Sequence, residues 1–80
     1  MTKAEEVAAV ARGEGCLGRS QDDEPVFVLV ARDRYAAQAV RGWAALVHAH
    51  GASPKADDAL ALAARMDAWR EAHGGGKIPD

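Results

Sequence analysis

One continuous apolar run stands out in this chain of 80 residues: Pro25-Val26-Phe27-Val28-Leu29-Val30-Ala31. Polar and apolar side chains do not alternate along it, which is typical of a strand buried on both faces. Its β-branched and aromatic residues favour a strand over a helix. Pro25 suits the first position of a strand, where no ladder donor is needed. The sequence therefore predicts a β-strand over residues 25–31.

This predicted strand needs a partner, because burying unpaired main-chain N–H and C=O groups is costly. Within the chain the candidate partners are short: Cys16-Leu17 and Lys77-Ile78. The same run in a second copy of the protein is the other candidate. The strand therefore predicts either a small sheet or a homodimer.

The part of the chain before the strand divides into a short helix and a loop. Thr2 followed by Glu5 matches the capping-box pattern and predicts a helix within residues 1–12. Residues 13–24 contain three glycines and then a polar, acidic stretch, so they are predicted to form a long exposed loop.

Two longer helices are predicted after the strand. Asp33 is a plausible N-cap for a helix over residues 34–50, and Ser53 for a helix over residues 54–73. The short connection between them predicts an antiparallel helical hairpin, with residues 74–80 as a tail. The predicted fold class is mostly α (α+β), as a single domain over residues 1–80.

Each hairpin helix carries an apolar stripe at helical spacing. On the first helix the stripe comprises Ala36, Val40, Trp43, Val47 and His50, widened by Ala39 and Leu46. On the second it comprises Ala59, Leu62, Ala63, Met66 and either Trp69 or Arg70. Gly42 lies inside the first helix at a cost of about 1 kcal/mol relative to alanine, which predicts that another backbone packs closely there.

Composition narrows the class of protein. Nineteen residues are alanine and four are aromatic, so the chain has little material for the walls of a catalytic cleft. The net charge of −2 does not predict a basic surface for nucleic acid. No secretory signal or membrane span is apparent, so a bacterial cytoplasm is expected. Abundant alanine, glycine and arginine indicate a high-GC bacterium or one of its phages.

The residues that often carry chemistry do not form recognisable sites. His48 and His50 would point about 200° apart on a helix, so no metal site is predicted. The sequence gives no sign of a general base that would activate the thiol of Cys16 as a nucleophile. Residues 13–18 spell GxGxxG, but they follow a helix instead of a strand. We therefore predict no catalytic residues, no cofactor and no enzymatic activity.

The acidic residues are the candidate binding residues. They are Asp22, Asp23 and Glu24 in the loop, and Asp57 and Asp58 at the start of the last helix. The second pair would repel DNA if that helix were the recognition helix of a helix-turn-helix. The loop residues have two interpretations: a solvated loop, or an acidic contact for a basic partner.

One sequence pattern resembles a known family. Asp23-Glu24-Pro25-Val26-Phe27-Val28-Leu29, continuing through Asp33, Val40 and Trp43 to Lys77-Ile78-Pro79-Asp80, is similar to small proteins of high-GC alphaproteobacteria and their phages. Within that group the chain resembles the type I-C anti-CRISPR proteins associated with Rhodobacter phages. The resemblance covers the chain from about Cys16 onward.

The resemblance implies an inhibitor that binds subunits of the type I-C Cascade surveillance complex and stops it binding target DNA. It implies no direct contact with nucleic acid or membrane, and it identifies no contact residues. The protein is expected to be a monomer or a homodimer. The alternative is a small protein-interaction module of a phage or its host, either monomeric or homodimeric, with an unrelated role.

Overall fold

The structure, a computed structural model, describes residues 1–75. Four helices lie in this part of the chain: α1 (Lys3–Ala11), α2 (Gly15–Arg19), α3 (Ala36–His48) and α4 (Pro54–Ala72). Helix α1 packs against α2, and α3 packs against α4. Irregular chain over residues 20–35 links the two pairs. The end of the predicted tail, residues 76–80, lies outside the described residues.

The predicted β-strand is wrong, and with it the α+β class. Residues 25–31, called the apolar segment below, contain no strand, and the protein is mostly helical over residues 1–75. The physical reason is that no strand within residues 1–75 pairs with this segment. Cys16-Leu17, one candidate partner, lies inside α2. The other candidate, Lys77-Ile78, lies outside the described residues, and a strand without a neighbour has no ladder to join.

The predicted capping box at the start of α1 is confirmed. The main-chain N–H of Thr2 donates to Glu5 Oε1 at 3.1 Å, and the N–H of Glu5 donates to Thr2 Oγ1 at 3.2 Å. These two bonds satisfy N–H groups that the first helical turn leaves free. The hydrogen bond from the Thr2 backbone also holds the pKa of the Glu5 carboxyl below its ordinary value.

Helix α2 forms within the segment predicted to be a loop, and glycines make this possible. Gly13 and Gly15 adopt φ of +69° and +76°, a region that favours glycine. A Cβ on Gly18 would lie 2.9 Å from the carbonyl carbon of Gly13, which is closer than packing allows. The glycine spacing that spells GxGxxG therefore serves a tight turn and the close approach of α2 to α1.

Helices α3 and α4 form the predicted antiparallel hairpin. Ser53 is the N-cap of α4, because its Oγ accepts from the N–H of Ala56 at 3.2 Å. Helix α3 begins at Ala36, two residues later than predicted. Asp33 instead accepts a hydrogen bond from the N–H of Tyr35 at 2.8 Å, which forms a turn ahead of the helix.

The core between α3 and α4 consists largely of alanine. Its buried residues are Ala36, Ala37, Ala44, Ala56, Ala63 and Met66. Met66 is the one large side chain that is buried within residues 1–75, and 7% of its surface is accessible to solvent. Alanine side chains let two helices approach closely but remove little apolar area from water. The hairpin is therefore tightly packed yet has a small hydrophobic core.

The predicted apolar stripes are only partly buried. On α3, Val40 and Val47 are half-buried against the hairpin, but Trp43 remains 43% exposed and Leu46 71% exposed. The prediction that another backbone packs on Gly42 is wrong, because nothing lies within 4 Å of the position of its Cβ. His50 is exposed as well. The fully buried residues of α3 are alanines, and Val40 packs beside them against the cluster that includes Ala63 and Met66 of α4.

On α4 the structure decides between the two alternatives for the last inner position. Arg70 is half-buried, and its guanidinium donates to the main-chain oxygen of Arg34 at 3.3 Å. Trp69 lies 47% exposed on another side of the helix. Arg70 is therefore the inner residue at this end of α4, and Trp69 lies at the surface.

Asp67 joins the two hairpin helices electrostatically. It accepts hydrogen bonds from Arg41 on α3 and from Arg70 on its own helix, the latter at 2.9 Å. The hydrogen bond from Arg41 holds the pKa of the Asp67 carboxyl below its ordinary value. A carboxyl whose pKa is lower in the folded state stabilises the fold above its unfolded pKa, and this contribution is lost as the pH falls through the folded pKa.

Replacing Asp67 with asparagine is expected to lower the melting temperature at neutral pH and to make little difference in acid. The difference in melting temperature between the wild-type protein and Asp67→Asn should shrink as the pH falls below the ordinary pKa range of an aspartate. Wild-type Asp67 then loses its charge. Thermal unfolding followed by circular dichroism at several pH values measures this. The matched control is Asp23→Asn, at an exposed carboxylate. A gap between Asp67→Asn and wild type that does not change with pH would contradict the role of the ion pairs.

Candidate protein-binding surface

The apolar segment rests on the hairpin core at two points only. Leu29 and Ala31 pack against the buried cluster that contains Met66. The other large side chains of the segment are exposed. Their exposed fractions are 56% for Val26, 86% for Phe27, 65% for Val28 and 44% for Val30. Phe27 is thus almost fully exposed to water. Phenylalanine is one of the residue types most often buried in folded proteins, so this exposure is unusual.

An open apolar hollow lies beside this segment, between the N-terminal helices and α4. Its volume is about 1080 Å³. Residues of α1, α2, the apolar segment and α4 contribute to its walls, among them Val7, Leu17, Phe27, Leu62, Met66 and Trp69. Four separate parts of the chain therefore build one concave, mainly apolar surface. Contiguous exposed apolar surfaces of this kind mark binding sites in soluble proteins.

Polar groups of both signs stand around this apolar hollow. Lys3 and Glu6 of α1 line it on one side, and Arg65 of α4 lines it on the other. Arg32, which follows the apolar segment, also contributes. An apolar centre bordered by charged groups is the usual composition of a protein–protein interface.

The acidic loop lies directly ahead of the apolar segment in sequence. Asp22, Asp23 and Glu24 are all exposed. Glu24 stabilises the turn, because its Oε1 accepts from the N–H of Gln21 at 3.0 Å. Within residues 1–75 neither Asp22 nor Asp23 forms an ion pair, so both carboxylates face solvent.

The second acidic pair is also exposed, in the first turns of α4. Asp57 Oδ1 lies 3.1 Å from Nε2 of His48 at the end of α3, outside hydrogen-bonding geometry. Asp58 is free of ion pairs within the described part of the chain. The structure brings neither member of this pair into contact with the acidic loop. The five predicted contact residues thus form two separate exposed patches.

The histidines and the cysteine occupy separate places. His73 stacks on Trp69 with the ring centroids 3.8 Å apart, and its Nδ1 lies 2.7 Å from the main-chain oxygen of Trp69. Cys16 is exposed and lines the apolar hollow. Within residues 1–75 no three histidine, cysteine, aspartate or glutamate side chains come together as they would around a metal ion.

Sequence reasoning missed the apolar hollow and the stack of His73 on Trp69. The stack had a local signal, since residues four apart meet on a helix face. The hollow had none, because its walls come from parts of the chain that are distant in sequence.

No helix within residues 1–75 combines the length and the apolar character needed to cross a bilayer. Comparison with known protein families, curated proteins and solved structures finds no match to this chain.

Proposed function

We propose that the protein is a non-catalytic inhibitor that binds a subunit of the type I-C Cascade complex in the cytoplasm of a host bacterium. By occupying a surface that target DNA needs, it prevents DNA binding. The resemblance of the DEPVFVL pattern to type I-C anti-CRISPR proteins supports the choice of partner. The observation that carries the proposal is the exposed acidic loop, in which Asp22 and Asp23 face solvent.

The physical argument rests on charge. A surface that binds DNA must neutralise phosphates with lysine and arginine side chains. A protein that competes for such a surface benefits from exposed carboxylates without partners of their own. Asp22 and Asp23 meet this requirement, and the exposed carboxylates of Glu24, Asp57 and Asp58 add negative charge in the same loop and on α4. Such charges act mainly on the rate of association.

Replacing Asp22 and Asp23 together with lysine is expected to slow association with purified type I-C Cascade about tenfold, because steering by the loop becomes repulsion. Inhibition of target-DNA binding should weaken at a fixed dose. Helix content should not change, since both side chains are exposed and form no ion pairs within residues 1–75. Surface-immobilised Cascade gives the association rate, and a gel-shift assay gives the inhibition.

The control is Glu14→Lys with Glu71→Lys, which changes the net charge by the same amount at exposed positions outside both acidic patches. Glu14 forms only an exposed ion pair with Arg12, so its loss costs little. Equal weakening by the two double variants would show that overall charge matters and that the loop has no special role. If wild-type protein does not bind Cascade, the proposed partner is wrong.

A second candidate function is a protein-interaction module of a phage or its host with an unrelated role. The large exposed apolar hollow favours a protein partner of some kind. A pull-down on purified Cascade distinguishes the two candidates, because a module with an unrelated role leaves Cascade unbound.

A further inference from the structure

The apolar hollow and its most exposed side chain lie on the same face of the molecule. Phe27 is 86% exposed and stands in the wall of a concavity of about 1080 Å³. A phenylalanine side chain fills only a small part of that volume. A projecting apolar group next to a larger apolar recess is self-complementary, because a two-fold axis can place each projection in the other molecule's recess.

The exposed area of the chain fits this arrangement. Its accessible surface is 6184 Å², about a third more than the roughly 4600 Å² of a typical folded monomer of its mass. A stable interface of standard size buries about 800 Å² on each partner. The excess therefore exceeds what one such interface removes. Many of the most exposed apolar side chains belong to this face, including Val7 at 59% and Val28 at 65%.

The charges at the edge of the hollow permit pairing between copies. Glu6 and Lys3 lie on α1, Arg65 lies on α4 and Arg32 follows the apolar segment, so one carboxylate stands among three cations. Across a two-fold axis, groups of opposite sign can therefore face each other. An edge with one sign only would oppose association.

We propose that a second copy of this chain occupies the apolar hollow, so that Phe27 of each copy inserts between the N-terminal helices and α4 of the other. The contact is made by side chains. It covers most of the exposed hydrophobic surface that the small alanine core leaves behind.

Sedimentation velocity on the full chain tests this dimer. Wild-type protein should sediment as a species with about twice the monomer mass of 8.4 kDa. The Phe27→Glu variant should sediment mainly as a monomer. The matched control is Leu46→Glu on α3, which changes a side chain that is 71% exposed and does not line the hollow. This control should remain dimeric. A wild-type monomer at all concentrations, or a Phe27→Glu variant as dimeric as wild type, overturns the proposal.

Cys16 gives a second readout that needs no substitution, in case Phe27→Glu fails to fold. Its thiol is exposed in the single chain and lines the hollow, so the second copy should shield it. The rate constant for alkylation of native wild-type protein by iodoacetamide should fall several-fold as the protein concentration rises through the dissociation constant. An unchanged rate constant across a monomer–dimer transition places the interface elsewhere. The isolated protein suffices for both tests, so their results do not depend on Cascade.

Discussion

Replacing Ala63 with aspartate is expected to unfold the protein. Ala63 has 0% exposure and lies between α3 and α4 in the alanine core. A carboxylate there loses its hydration, and effective penalties for burying a charge without a partner amount to several kcal/mol. Small domains have total stabilities of about 5–15 kcal/mol, and a chain with so small a core should lie near the lower end. Far-UV circular dichroism with urea titration measures the loss.

The control for this substitution is Ala61→Asp, two positions earlier on the exposed side of α4. It introduces the same residue into the same helix, so it carries the same loss of helix propensity, about 0.5–0.7 kcal/mol. The difference between the two variants isolates the cost of burial. If both variants unfold at similar urea concentrations, Ala63 is not buried between α3 and α4.

Replacing Met66 with alanine is expected to lower the free energy of unfolding by about 2–3 kcal/mol, in the range measured for truncation of buried large apolar side chains. Met66 is the one large side chain buried within residues 1–75, and Leu29 of the apolar segment packs against its cluster. The alanines around it cannot fill the space, because they have no rotamers to change. Chemical denaturation followed by circular dichroism gives the value.

Leu60→Ala provides the comparison for Met66→Ala, since Leu60 lies on the same helix but is 41% exposed. The expected loss there is under about 1 kcal/mol, because only part of the side chain leaves an apolar environment. The apolar segment supplies a further readout. Met66→Ala should make it more sensitive to limited proteolysis, whereas Leu60→Ala should not. Equal losses of stability would indicate that Met66 is not the centre of the core.

The sequence by itself determined the helices and their starting points where the cause is local. Thr2 with Glu5, and Ser53, provide side-chain oxygens for N–H groups three residues away, and no distant residue is needed for these bonds. The exposure of Asp22 and Asp23 was likewise predictable, because a turn of charged residues has no reason to leave water. These features account for α1, for the α3–α4 hairpin and for the acidic candidate residues.

The conformation of residues 25–31 was decided by the tertiary structure. Their composition favours a strand, but a strand exists only when a second strand supplies its hydrogen bonds, and that information is not local. Of the two predicted partners within the chain, Cys16-Leu17 lies within α2 and therefore does not form a strand. Leu29 and Ala31 pack against the hairpin core, whereas Phe27 is exposed to water.

Only the tertiary structure also decided which side of each helix is buried. Helical spacing predicts an apolar stripe on α3, but it does not distinguish Ala44 from Trp43 as the residue that meets α4. The buried contact between the two helices is made mostly by alanines. Trp43 and Trp69 remain partly exposed while Ala44 and Ala63 are fully buried. Trp69 lines the apolar hollow together with residues of α1, α2 and the apolar segment, a set that no local pattern in the sequence brings together.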